Sequence, residues 1–141
     1  MIFFWKLFLY GNIGLLIEVW FTGIHSLITK NYRGTSVTYV YMFLIYGLTA
    51  MVLEQLHHWL RWGMFLNALV YVPTIYLMEF TSGWVLQKLL GRCPWDYGNA
   101  KYGIMGLIRL DYAPYWFLIA LFFDAICGWI DVVLNKIVLV A

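Results

Sequence analysis

Four long apolar runs, each interrupted by only one or two charged side chains, divide this chain at roughly residues 7–28, 36–54, 63–89 and 112–134. Each is close to the ~20 residues that an α-helix needs to cross a bilayer. The pattern predicts an all-α polytopic membrane protein, a bundle of about four transmembrane helices in a single domain spanning residues 1–141. Pro73 falls inside the third run, where it removes a backbone donor and can kink or tilt the helix. The first two connections, 29–35 and 55–62, are short. The third, 90–111, is crowded with Gly, Pro, Trp and Tyr, and its second half (Ile104-Met105-Gly106-Leu107-Ile108-Arg109-Leu110) is apolar enough to lie at the headgroups or tuck back among the helices. An interfacial or re-entrant loop is therefore expected before the last helix.

Polar and small positions inside the runs recur at helical spacing. Gly11, Gly14, Glu18, Thr22 and His25 share one face of the first helix. Tyr76, Glu79, Gly83 and Gln87 form an equivalent stripe on the third, and Ala120, Asp124, Cys127 and Asp131 on the fourth. Small residues let backbones approach closely in lipid, and an intramembrane carboxylate must face a protein interior, a cavity or a partner. Glu18, Glu79 and Asp124, with Gly14 and Gly83, thus mark a polar seam for interaction or transport. No Lys or Arg lies in the centre of a run. Each acid is expected to be protonated, hydrogen-bonded or paired from outside, with Tyr, Trp, Asn12 and Thr22 as internal donors.

Composition agrees with the patterning: 64% of residues are hydrophobic, 21% aromatic and 11% charged, with a mean hydropathy of +0.79. A soluble domain needs more charge than this. The formal charge of +2 comes from dispersed cations, which argues against a nucleic-acid partner. Lys6 beside Met1 to Trp5 runs directly into the first apolar run, the pattern of an uncleaved signal anchor. Two cysteines, Cys93 and Cys127, make no disulfide framework. Six cations (Lys30, Arg33, Lys88, Arg92, Lys101, Arg109) flank the first and third loops, against three (Lys6, Arg61, Lys136) on the other face. The positive-inside rule then places the first and third loops on the cytoplasmic side.

The run from Trp84 to Tyr115 carries Cys93-Pro94-Trp95-Asp96-Tyr97, Met105-Gly106-Leu107-Ile108 and Asp111-Tyr112, preceded by Met78-Glu79-Phe80-Thr81-Ser82-Gly83. With Phe8-Leu9-Tyr10, the Gly14 to Thr22 segment and Phe43-Leu44-Ile45-Tyr46-Gly47, this resembles the transmembrane protein 229 family and the related small bacterial membrane proteins of the CmpB type, labelled ABC-transporter permeases. The resemblance covers roughly residues 7–124. It implies a small polytopic fold in which Glu18, Glu54, Glu79, Gly83, Pro94, Trp95, Asp96, Tyr97, Gly106 and Asp124 match the family pattern. The chain departs from that pattern at Gln55-Leu56-His57-His58, where the histidine pair has no family counterpart.

Glu54-x-x-His57 has the spacing of two metal ligands one turn apart, as in di-iron bundles, but no second such pair with its companion carboxylates is evident. The alternative makes His57 and His58, with Trp59, Arg61 and Trp62, an interfacial belt. His25 reads as a helix-end residue. Haem or chlorophyll ligation by His25, His57 or His58 is the lesser alternative, and bound lipid is the expected non-protein companion. In the loop, Pro94 fixes the backbone, Trp95 and Tyr97 anchor it, and Asp96 can close an Asx turn. A functional reading instead sets Asp96 with Glu79 and Arg109 as a gate or head-group site. No nucleophile with a base, phosphate-cradling loop or metal-binding Cys/His cluster is recognisable, so no catalytic residue is assigned. Two functions follow: a non-catalytic accessory or assembly subunit of a larger membrane complex, or a transporter or channel component whose carboxylates line a proton, cation or amphiphile path. The partners expected are the lipid bilayer with other membrane proteins, or copies of the same chain.

Overall fold

The computed structural model describes residues 2–29 and 32–140, without the side chains of residues 134, 135 and 137–140. Lys30, one of the cations counted for orientation, lies outside the described residues. Among the described residues four helices are long and apolar enough to cross a membrane. They are α1 (Ile2–Ile28), α2 (Val40–Leu60), α3 (Met64–Leu90) and α4 (Ala113–Val140), with a two-stranded hairpin, β1 (Gly103–Ile104) and β2 (Ile108–Arg109), before α4. The protein is thus all-α and polytopic. By its contacts the chain divides into two compact units, residues 1–51 and 52–141.

In the first unit, α1 and the start of α2 meet through small residues. A Cβ at Gly11 would come within 2.7 Å of the Phe43 carbonyl oxygen, and one at Gly47 within 2.9 Å of the Leu7 carbonyl oxygen. A side chain at Gly14 would strike the Tyr46 ring. These contacts are backbone-close, the approach that holds helices together when burial from lipid contributes little. The segment before α2 is extended rather than helical, so α2 begins at Val40 where the patterning expects residue 36. The cause is local pairing with α1. The Ser36 hydroxyl donates to the Val19 carbonyl at 2.8 Å, the Val37 N–H to the Thr22 hydroxyl at 3.2 Å, and the Thr38 hydroxyl to a Glu18 carboxylate oxygen at 2.5 Å. Side-chain bonds of this kind compete with the first turn of a helix.

In the second unit, α2 continues to Leu60, past the point where the hydropathy pattern ends the span at residue 54. Gln55 to Leu60 contains no breaker, and the helix stops where Arg61 (φ 44°) and Gly63 (φ 98°) leave helical space. His57 and His58 are therefore helical residues rather than members of a loop belt. α3 runs unbroken through Pro73 and ends at Gly91 in the left-handed conformation. Ala68, Tyr71, Ile75, Glu79 and Gly83 form its buried face, and Ala120, Phe123, Cys127 and Ile130 that of α4. These two helices pack together, with the Tyr71 and Phe123 rings edge-on at 6.0 Å.

Candidate functional site

The polar residues of the second unit converge on Asp124, near the middle of α4. Its Oδ1 accepts from the Tyr71 hydroxyl at 2.9 Å and from the Asn67 amide at 3.0 Å, and lies 2.8 Å from His57 Nδ1. Three helices supply these groups because each presents a polar residue on its packed face: His57 from α2, Asn67 and Tyr71 from α3 one turn apart, and Asp124 from α4. Oδ1 is thus the atom on which α2, α3 and α4 converge. The Asn67 side-chain oxygen also receives the Trp62 backbone N–H at 3.3 Å, tying the α2–α3 turn to the same node. Of the three answers the sequence leaves open for an intramembrane acid, Asp124 takes hydrogen bonding, with a tyrosine among its donors.

A second group of ionisable residues lies on α2 and α4. His58 Nε2 is 3.1 Å from an Asp131 carboxylate oxygen. One donor atom each of Glu54, His58 and Asp131 lies within 4.8 Å of the others. Glu54 and His58 are four apart on α2 and Asp124 and Asp131 seven apart on α4, so each pair shares a helix face. Glu54 is 1% exposed, while His58 is open to the surface. His57, the residue that sequence spacing pairs with Glu54, is turned instead toward Asp124.

The loop between α3 and α4 forms a folded plug against α3. The Trp95 ring is buried and its indole N–H donates to the Leu107 carbonyl at 2.9 Å. A Cβ at Gly83 would come within 3.0 Å of the Trp95 ring and 3.2 Å of Leu107, so the glycine makes room for the plug. Asp96 Oδ1 accepts the Gly98 N–H at 2.7 Å, closing an Asx turn. Met105 (φ 53°) and Gly106 (φ 71°) turn the hairpin, with the Leu107 N–H bonded to the Ile104 carbonyl at 3.0 Å. Arg109 grips Asp111 through two nitrogens, at 2.9 and 2.8 Å, and lies 4.5 Å above the Tyr112 ring. The adjacent carboxylate raises the Arg109 guanidinium pKa above its already high ordinary value. Burial pushes the Cys93 thiol up. The Tyr76 hydroxyl reaches the Arg109 and Leu110 carbonyls, both at 3.1 Å.

The residues of the sequence-derived seam fall in both units. Glu18 belongs to the first unit, where Thr38 serves its carboxylate, and Gly14 packs beneath Tyr46. Thr22 and Asn12 donate to the main-chain carbonyls of Glu18 and Phe8, one turn back along α1. Glu79 is buried on α3 eight residues beyond Tyr71, about 12 Å of helical rise, on the stretch where Tyr76 and Gly83 meet the loop. Asp96 and Arg109 hold the loop itself together. Asn67 and Tyr71 were not singled out by sequence, and Glu54 was paired by spacing with His57 rather than with His58. The signal lay in the four-residue spacing of Asn67 with Tyr71 and of Glu54 with His58.

Residues 5–139, almost the whole chain, match the model of the family described as "Putative ABC-transporter type IV". No solved structure matches the chain.

Proposed function

The chain belongs to this CmpB-type ABC-transporter family, and from that premise we propose that it is a membrane-embedded, non-catalytic accessory or assembly subunit of a larger transporter complex. The observation that carries the reading is the Asp124 node. A carboxylate within a span that takes bonds from Asn67 and Tyr71 and pairs with His57 is committed to holding three helices in register. These residues contain no Gly-x-x-x-x-Gly-Lys-Ser/Thr loop, and in this proposal ATP binding belongs to a partner. Large apolar side chains on the helix exteriors, among them Trp20, Phe65, Leu77 and Trp129, offer surface to lipid and to neighbouring membrane proteins. In the same reading the first and third loops face the cytoplasm, where an ATP-hydrolysing partner resides. The resemblance to the transmembrane protein 229 family, carried by the loop and α3 motifs with the segments 8–10, 14–22 and 43–47, is kept as part of this proposal and adds no activity. Purification from the native membrane in mild detergent, followed by native mass spectrometry, tests the proposal. A stoichiometric complex containing an ATP-hydrolysing chain is expected. Recovery as a lone monomer or homo-oligomer would overturn it.

The His57–Asp124 pair favours a second reading, since a titratable pair within a span is also the beginning of a proton or cation path. In that case Glu18→Gln, Glu79→Gln and Asp124→Asn would spare expression and abolish flux. Flux unchanged in all three removes this reading.

A further inference from the structure

We propose that Glu54, His58 and Asp131 form a binding site for one divalent transition-metal ion. Their donor atoms, one imidazole nitrogen and two carboxylate oxygens, lie within 4.8 Å of one another. Metal bonds of ~2.0–2.1 Å place neighbouring ligand atoms about 2.8–3.4 Å apart in octahedral or tetrahedral geometry. The 3.1 Å between His58 Nε2 and the Asp131 oxygen already falls in that range. Closing the rest of the triad requires atoms now up to 4.8 Å apart to approach by about 1.4–2 Å, shared between side chains whose backbones are fixed in α2 and α4.

Charge points the same way. Two carboxyl groups and a single imidazole meet here, and Glu54 is 1% exposed. Bringing carboxylates together away from water is costly unless a proton or a cation joins them. A divalent ion answers both carboxylates at once and takes the neutral imidazole as its third ligand. The donor set selects the metal class: mixed nitrogen and oxygen suits Zn²⁺, Mn²⁺, Fe²⁺ or Co²⁺, whereas Cu(I) prefers thiolates and thioethers and Ca²⁺ prefers six to eight oxygens. Glu54 closes the inner side. His58 is exposed and Asp131 partly so, which leaves an outer side where water can complete the coordination.

The placement also explains the division of labour between adjacent histidines. His57 is turned to Asp124 and positions α2 against α3 and α4, while His58 meets Asp131 and Glu54. A metal here would pin α2 to α4 near the α2–α3 turn, reinforcing the node that Asp124 already makes. The inference concerns a site separate from the proposed complex, and the presence or absence of an ATP-hydrolysing partner leaves it untouched.

The test uses the full chain in detergent, carrying a purification tag without histidines and stripped with a chelator. Co²⁺ is the probe, because nitrogen and oxygen ligation gives it visible d–d absorption, and Zn²⁺ is then used in competition. One Co²⁺ per chain, displaced by Zn²⁺, is expected. Removing even an outer-shell partner of a metal costs ~10–100-fold in affinity, so His58→Gln and Asp131→Asn, both at accessible positions, should each lose at least about tenfold. His25→Gln should bind as the unaltered chain does. Absence of saturable Co²⁺ binding to the folded, helical wild-type chain overturns the site. Binding that survives His58→Gln and Asp131→Asn together also overturns it, since the ion would then be held elsewhere. The wild-type titration decides the proposal even where a variant fails to fold.

Discussion

Asp124 is the residue whose partners were hardest to foresee and whose removal is easiest to interpret. Asp124→Ala leaves the Tyr71 hydroxyl and the Asn67 amide without their acceptor and releases His57. Interhelical hydrogen bonds in membranes are worth ~0.6 kcal/mol on average, and three of them set the expected loss at about 2 kcal/mol. Tyr71→Phe removes one bond and should lose about 0.6 kcal/mol, with Asp124→Asn in between because it keeps an acceptor. Reversible unfolding in mixed detergent micelles reads all three, and a Tyr71→Phe loss equal to that of Asp124→Ala would contradict the shared node. At this scale the sequence shows which acids are unusual, because each sits at the wrong depth for its charge. It does not show that Asp124 would be answered by His57. That pairing depends on how far α2 extends and on which way its last turn faces, and both are set by packing rather than by hydropathy.

Among the elements, the loop between α3 and α4 depends on a single cleared position. Gly83 admits Trp95 and Leu107 against α3, and a branched side chain there meets both within 3.0 to 3.2 Å. Gly83→Val should therefore lift the plug while leaving α3 intact. Cys93 reports the change: a Cβ at Gly83 would lie 3.4 Å from its sulfur, and burial holds its thiol pKa above the ordinary value. A raised thiol pKa means less thiolate at any pH below it, so Cys93 should alkylate slowly near pH 8 in the native chain. Release of the plug lowers that pKa toward ~8.5 and exposes the sulfur, and both changes accelerate labelling. Cys127 is fully buried and gives little background. Equal labelling rates in the two proteins would mean that the loop does not rest on Gly83. The crowding of Pro94, Trp95, Tyr97 and Gly106 makes an ordered loop legible in sequence. Its hairpin register is not, since two-residue strands carry no periodicity to read. Helix ends show the same limit. Residues 36–39 are apolar enough to be helix, but their hydroxyls bond to α1 instead.

For the whole molecule, the membrane class follows from hydropathy alone, whereas orientation rests on a narrow excess of cations. In the orientation proposed above, four crossings put both termini on one side of the membrane, and six cations against three assign the first and third loops to the cytoplasmic side. Impermeant thiol reagents can test this in a chain whose two native cysteines are replaced. Lys101→Cys should label only after the cytoplasmic face is opened, and Trp62→Cys from outside in intact cells. Because the bias is carried by a few side chains, it should also be fragile. Arg33→Gln with Arg92→Gln reduces the excess to four against three while touching neither the Asp124 node nor the plug. Such a chain should insert in both orientations, with both labelling patterns appearing in one preparation. Uniform orientation after that change would show that something other than loop charge, such as association with a partner during insertion, sets the direction. That outcome would lend weight to a subunit that takes its place within a larger complex.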